Sequence, residues 1–291
     1  MEAADRPGSG LSAGAVDAEA FSAFESAGWE RQAPTYGDFL GQITRGVVTA
    51  LLDAADVTRG SRVLDVATGP GYAAAAAHAR GASVVGVDVA EAMVQLAGSH
   101  HPEIDFQVAD AEALPFEDDS FDAVVSNFVV PHLGRPEQAV GKLARVLRVG
   151  GALALTTWDQ PERMRLLGLI LEAVARAGAT PPHDIPPGPP FFRFSDDQEF
   201  DALLRGSGLT GVKVTTIAFI HRVEIADAIW DGVLTSTVRT RALITHQPEA
   251  TRQRIRAAFD EQVVAWRHRD TYEIPISVKL ASGRKDTGHG G

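Results

Sequence analysis

Cysteine is absent from the 291 residues, which excludes disulfides, thiol catalysis and cysteine-ligated metals. Basic residues are the minority, 27 against 38 acidic ones, and the net charge of −11 disfavours phosphate backbones and anionic membranes as partners. No apolar run approaches the roughly 20 residues that a bilayer span needs. The N-terminus lacks a basic region followed by an apolar core, so no signal peptide is read. The nine histidines show no zinc spacing, and neither a nucleophile elbow nor a Walker loop is present. These absences lead to the expectation of a cytoplasmic protein with no metal, no membrane insertion and no nucleic-acid partner.

What is present suits an enzyme with a full core, since 45% of the residues are hydrophobic and 22% charged. The organising stretch is Val63-Leu64-Asp65-Val66-Ala67-Thr68-Gly69-Pro70-Gly71-Tyr72. An apolar run that ends in two close glycines and opens onto an alanine-rich segment reads as strand, tight turn and helix start. Gly69 and Gly71 let the backbone turn and approach a ligand, and the helix from Tyr72 to Arg80 presents free N–H groups. Alone, this loop fits either an adenosine-containing cofactor or an ordinary strand-to-helix turn. A second strand, 83–88, ends in Asp88 about 20 residues after the glycines, where a carboxylate accepts from a ribose diol. A third, 104–109, leads to Asp110 and Ala111. Phe121 to Phe128 reads as a fourth strand, and Ala152 to Trp158 as a fifth after the helix that Pro136 begins. Strands alternating with helices give an α/β fold with a doubly wound, mostly parallel sheet.

In five segments, Val63 to Tyr72, Val84 to Val94, Asp105 to Phe116, Ser120 to Leu133 and Arg145 to Trp158, the chain resembles the class I S-adenosylmethionine-dependent methyltransferases, in particular the ubiquinone/menaquinone-biosynthesis-like small-molecule branch. The resemblance implies a seven-stranded Rossmann-like sheet with an antiparallel C-terminal strand pair, and S-adenosylmethionine as cofactor. It points to Asp65, Ala67, Gly69, Gly71, Asp88, Val89, Asp110, Ala111 and Asn127 as cofactor contacts, with the Asp110 carboxylate on the adenine amino group. Met93 would face the adenine, or would simply fill core. Tyr36 and Trp29 precede the core in a segment that folds over the cofactor in that family; the alternative is two anchors for a loose arm.

The domain expectation is a single unit over 18–281, with a core at 38–160, a helical lid inserted at about 225–269, and disordered tails at 1–17 and 282–291. The periodic residues Phe39, Leu40, Ile43, Val47, Val48, Leu51 and Leu52 space as one helix face. Helices are also read over 162–177, 196–206, 225–245 and 249–269, and late strands over 212–223 and 272–280. Trp29, Trp158, Phe192, Trp230 and Leu234 are candidate substrate-pocket residues, and the lid helices have a homodimer surface as their alternative. His132, just past the fourth strand, is the candidate catalytic base, against a histidine that only shapes the loop. The expected function is methyl transfer to a small, partly apolar molecule. An NAD(P)-dependent oxidoreductase and a cyclase or binding protein that keeps the cofactor without spending it are the alternatives.

Overall fold

The computed structural model describes residues 16–286, so the expected tails at 1–15 and 287–291 lie outside the described residues. The chain begins with helix α1 (Ala18–Tyr36), whose first N–H groups are capped by Asp17 through a 3.1 Å bond from the Ala20 N–H. This segment is a 19-residue helix, not the loose arm that was the alternative reading of Trp29 and Tyr36. The apolar run that follows breaks into α2 (Leu40–Thr44), a 3-10 turn and α3 (Val48–Ala54). Gly46, Val47 and Val48 at the break are poor helix formers, which accounts for the interruption.

Strand β1 (Arg62–Val66), helix α4 (Tyr72–Ala79), strand β2 (Ser83–Asp88), helix α5 (Glu91–His100) and strand β3 (Asp105–Val108) follow in turn. Strand β4 (Phe121–Asn127), helix α6 (Pro136–Val146) and strand β5 (Leu147–Trp158) complete the parallel part of the sheet. Residues adjacent in sequence on these strands point to opposite faces. Val63, Ala123 and Ala154 pack with α3 and α4, while Leu64, Val124 and Leu153 pack with α6. That alternation makes the strands apolar on both faces, as a doubly wound sheet requires.

The second half adds α7 (Arg165–Arg176), α8 (Asp197–Gly206), strand β6 (Leu209–Val223), α9 (Ala226–Ser236), α10 (Arg239–Thr245), α11 (Glu249–Val263), the two-residue strand β7 (Arg267–His268) and strand β8 (Thr271–Lys285). The sheet order is β3-β2-β1-β4-β5-β8-β6, with β8 antiparallel to both neighbours and β7 paired to β8 outside that path. Seven main strands and the antiparallel C-terminal pair thus match the expected class, and β7 is the eighth strand.

Several boundaries differ from the sequence reading: β5 begins at Leu147 and not Ala152, β6 begins at Leu209 and not at 212, and three more differ further along the chain. The helix expected over 225–245 is two helices, broken at Thr237 and Val238, where the Thr237 hydroxyl donates to the Val233 carbonyl and accepts from the Arg241 N–H. The helix expected over 249–269 stops at Val263, since Arg267 and His268 turn to pair with β8. Residues 282–285 were expected in a disordered tail but form the end of β8, with Ser282 opposite Ala154 and Lys285 opposite Leu209. Polar residues there hid a strand whose pairing is set by tertiary position: the Lys285 ammonium donates to the carbonyls of Arg145 and Leu147.

Candidate active site

The C-terminal ends of β1, β2, β4 and β5 meet at one cleft. This is where an open α/β sheet binds ligands. Two non-glycine residues at these strand ends, Ala67 (φ 54°) and Phe128 (φ 66°), adopt the left-handed conformation, and both line the cleft. Each costs about 1–2 kcal/mol in an L-residue. Strain held at two neighbouring strand ends marks a site whose shape is over-determined by its surroundings. Phe128 is fixed by its N–H donating to the Thr156 hydroxyl at 3.0 Å, and Thr156 in turn donates to the Asn127 side-chain oxygen at 2.6 Å. The Asn127 amide donates to the Thr44 carbonyl, tying β4 to α2.

The glycine loop separates into two roles. Gly69 (φ 54°) lines the cleft, and a Cβ built there would meet nothing within 4 Å, so the space above it is open. Gly71 (φ 85°) does not line the cleft, and a Cβ there would meet Phe106 at 3.0 Å and His101 at 3.1 Å. Gly71 is therefore a packing glycine that lets α4 start against β3 and α5. Asp65 also lies behind the loop. Its Oδ2 accepts from the Thr68 hydroxyl (2.7 Å) and the Ala74 N–H (2.9 Å), while its Oδ1 is buried with no partner. Burial pushes the Asp65 carboxyl up to about 7, against those two hydrogen bonds.

Asp88 ends β2 inside the cleft and shapes it from both sides. One oxygen accepts from the Gly69 N–H (2.9 Å) and the other from the Ala90 N–H (3.0 Å). Burial raises this carboxyl to about 6 despite those bonds. Each oxygen retains a further lone pair, so the group fits a ribose diol. Val89, Met93, Asp110 and Ala111 continue the same wall, and the Asp110 side chain accepts from the Glu112 N–H. Open space over Gly69, a diol-accepting carboxylate and a second carboxylate beyond it fit an adenosine ligand.

The opposite wall comes from α1 and the strand ends. Ser22, Glu25, Ser26, Trp29 and Tyr36 line the cleft from the helix, facing Phe128, Val129, His132, Leu133 and Trp158. Phe128 and Trp158 stack at 3.9 Å. The Tyr36 hydroxyl donates to Thr44 at 3.2 Å, and its burial pushes the phenol up to about 12. His132 pairs through Nδ1 with Glu25 Oε2 at 2.9 Å.

Of the residues expected at the site, Tyr36, Ala67, Gly69, Asp88, Val89, Met93, Asp110, Ala111, Asn127, Trp29, Trp158 and His132 line this one cleft. Asp65, Gly71, Phe192, Trp230 and Leu234 do not. Trp230 is buried against Phe259 and under the Arg256 guanidinium. Phe192 packs on Phe191, and Leu234 borders the core beside α1. None of 225–269 lines the cleft, so the part expected as a lid does something else: it holds α1, which is the covering element. The Gln32 amide donates to the Thr237 carbonyl at 2.9 Å, the Thr35 hydroxyl to the Thr235 carbonyl at 2.5 Å, and Gly28 sits against Val238.

Sequence reasoning missed Ser22, Glu25 and Ser26. Their signal was the helical spacing 22, 26, 29 with Glu25 one turn before Trp29, which only becomes legible once the segment is taken as a helix. Among the described residues no helix is long and apolar enough to cross a membrane, and no group of three or more metal-ligating side chains occurs.

Residues 64–155 match the family described as a methyltransferase domain. A demethylmenaquinone methyltransferase of Renibacterium salmoninarum is 37% identical over 122 residues, which are 42% of this chain and 51% of that protein. An uncharacterised Mycobacterium tuberculosis protein is 30% identical over 186 residues, 62% of this chain and 65% of its own length. Thus the chain spans about half to two thirds of the length of these relatives. The crystal structure of the YcgJ protein from Bacillus shares the fold with a TM-score of 0.54 at 23% identity, over 84% of this chain and 99% of that one.

Proposed function

We propose that this chain, which carries a class I S-adenosylmethionine-dependent methyltransferase domain of the quinone-biosynthesis-like branch, transfers a methyl group from S-adenosylmethionine to a small, partly apolar acceptor. The observation that carries the reading is one cleft with two chemically distinct walls: Gly69, Asp88 and Asp110 on one side, and Trp29, Phe128, His132 and Trp158 on the other. The first wall suits adenosine, and the second suits an acceptor with an apolar body and one group that gives up a proton.

Bound there, S-adenosylmethionine supplies a methyl group on a positively charged sulfur, already an activated electrophile. The protein's residues therefore have three tasks. Asp88 and Asp110 hold the nucleoside, with the Gly69 backbone allowing close approach. Helix α1 and the aromatic residues exclude water and align the acceptor. His132 accepts a proton at Nε2, which makes no hydrogen bond among the described residues. On the same reading the enzyme works in the cytoplasm, on a free small molecule and not on nucleic acid.

A nicotinamide dinucleotide is the rival ligand, because a glycine loop and an acid after β2 serve it equally. Calorimetric titration of the full chain separates the two. Micromolar binding of S-adenosylhomocysteine without a response to NAD is expected; NAD binding without a response to S-adenosylhomocysteine would sink the assignment.

A further inference from the structure

The carboxylate of Glu25 is spent in an unusual way. The residue is 3% exposed and lines the cleft, yet only one of its oxygens is engaged. Oε2 meets His132 Nδ1 at 2.9 Å, while Oε1 is buried with no hydrogen-bond partner. A buried carboxylate with an idle oxygen costs stability, so its retention at this place calls for a use. Another charged group near it is Arg239, which lies over the rings of Phe21 and Phe191, donates to the Pro131 and Pro189 carbonyls, and feels the Glu25 charge.

A carboxylate only accepts, so when the imidazole carries a single proton, the contact with Glu25 places it on Nδ1. Trp29 packs edge-on to the same imidazole at 5.0 Å, and Phe191 at 5.8 Å, so the ring has little freedom to turn. With Nδ1 occupied and the ring held, the lone pair left over is that of Nε2. The ionisable acidic and histidine side chains that line the cleft are Glu25, Asp88, Asp110, Glu112 and His132, and among the described residues no lysine or arginine lines it. Asp88 and Asp110 belong to the nucleoside wall and Glu112 is paired with Arg135 at 3.1 Å, so an acceptor bearing a phosphate or carboxylate would meet the Glu25 carboxylate with no lysine or arginine among the lining residues to offset it.

We propose that Glu25 is the positioning residue that fixes His132 as the Nδ1–H tautomer, and that the pair serves an acceptor which carries a hydroxyl and no anionic group. The inference rests on the methyl-transfer reading above. In the step, the acceptor O–H bond breaks and its proton goes to His132 Nε2. The electron pair left behind forms the bond to the methyl carbon, from oxygen or through conjugation from the neighbouring carbon, as the pair of the carbon–sulfur bond stays with sulfur. In the conjugated case, the proton displaced from carbon returns the hydroxyl.

The test has two independent arms. First, long-range proton–nitrogen NMR of the ligand-free full chain, labelled in histidine and assigned with His132→Gln, reads the tautomer at pH 8.5. The Nδ1–H form is expected to dominate in the wild type, to persist in part in Glu25→Gln, which keeps an acceptor oxygen, and to give way to mixed tautomers in Glu25→Leu. An Nε2–H wild type, or a Glu25→Leu variant with the wild-type tautomer, overturns the positioning role. Second, cell extract is incubated with the enzyme and methyl-labelled S-adenosylmethionine, and the product is identified. A product methylated on an ether oxygen or beside a hydroxyl, without phosphate or carboxylate, is expected. Its formation should fall about a hundredfold in kcat in Glu25→Leu and less in Glu25→Gln, with KM for the donor unchanged. An N-methylated or anionic product, or undiminished kcat in Glu25→Leu, overturns the proposal. No labelled product with the wild type rejects methyl transfer itself, and the NMR arm then still decides whether Glu25 fixes the tautomer.

Discussion

Replacing Asp65 by asparagine should make the ligand-free protein more stable at alkaline pH and change it much less in acid. The reason lies in where the two oxygens point. Thr68 and Ala74 both donate to Oδ2, and Oδ1 is buried without a partner. An asparagine that keeps its carbonyl at Oδ2 retains both bonds and loses the buried charge. Burial holds the Asp65 carboxyl at about 7, against 3.8 for the free group. Between those values the folded chain binds more protons than the unfolded chain, so stability falls as pH rises. The stability is fully present below 3.8 and is lost as pH passes about 7. About three pH units at about 1.36 kcal/mol each give about 4 kcal/mol in all, of which about 2–3 kcal/mol is lost between pH 5 and pH 8. The coupled Asp88 shares this environment, which makes the lower part of that range the better expectation. For a chain of this size, this is a gap in Tm between Asp65→Asn and wild type that widens by roughly 4–6 °C from pH 5 to pH 8. Thermal unfolding followed by circular dichroism at half-unit steps of pH reads it directly. Parallel curves, with a constant gap across the range, would show that Asp65 is ionised throughout and refute the argument.

Three further outcomes follow from the same geometry. Gly71→Ala should lose about 2–4 kcal/mol of stability in denaturant unfolding, from a left-handed φ and the contact with Phe106, whereas Gly69→Ala should lose only about 1 kcal/mol. Cofactor affinity should rank the other way, with Gly69→Ala the weaker binder by calorimetry; equal effects of the two substitutions on both readouts would remove the division of roles. Asp88→Ala should weaken S-adenosylhomocysteine binding by about 1.5–3 kcal/mol, and an unchanged Kd in a folded variant would place the ribose elsewhere. Gln32→Ala takes away the donor that ties α1 to the loop after α9, so amide exchange should rise along α1 with little change in the β-sheet; exchange unchanged on α1 would mean that the helix is held by its other contacts.

The centre of the sheet was legible in the sequence because β1, β2 and β4 are short apolar runs with glycine, acid or asparagine at their ends. Val63 to Gly71 and Ser83 to Asp88 carry their own boundaries. The cofactor wall was legible for the same reason, with loop residues fixed by strand ends. What the sequence could not place was whatever depends on a partner far along the chain. Helix α1 carries polar residues on most of its surface because it faces the cleft on one side and α9 on another, so Glu25 and Gln32 give no apolar period. Trp230 and Leu234 look like pocket residues by type, but they pack in the core that supports α1. Asp65 and Gly71 sit inside the recognised loop, and only the direction of their side-chain space shows that they build it from behind.

If the cleft serves methyl transfer, S-adenosylhomocysteine is released in step with the methylated product. Full-length protein is incubated with methyl-labelled S-adenosylmethionine and fractionated cell extract, and labelled product and S-adenosylhomocysteine are counted together. One S-adenosylhomocysteine for each labelled small-molecule product, with both lost in His132→Ala and Asp88→Ala, is the predicted result. Conversion of an extract component without S-adenosylhomocysteine release would contradict the claim, and would mean that this fold holds its cofactor for a different reaction.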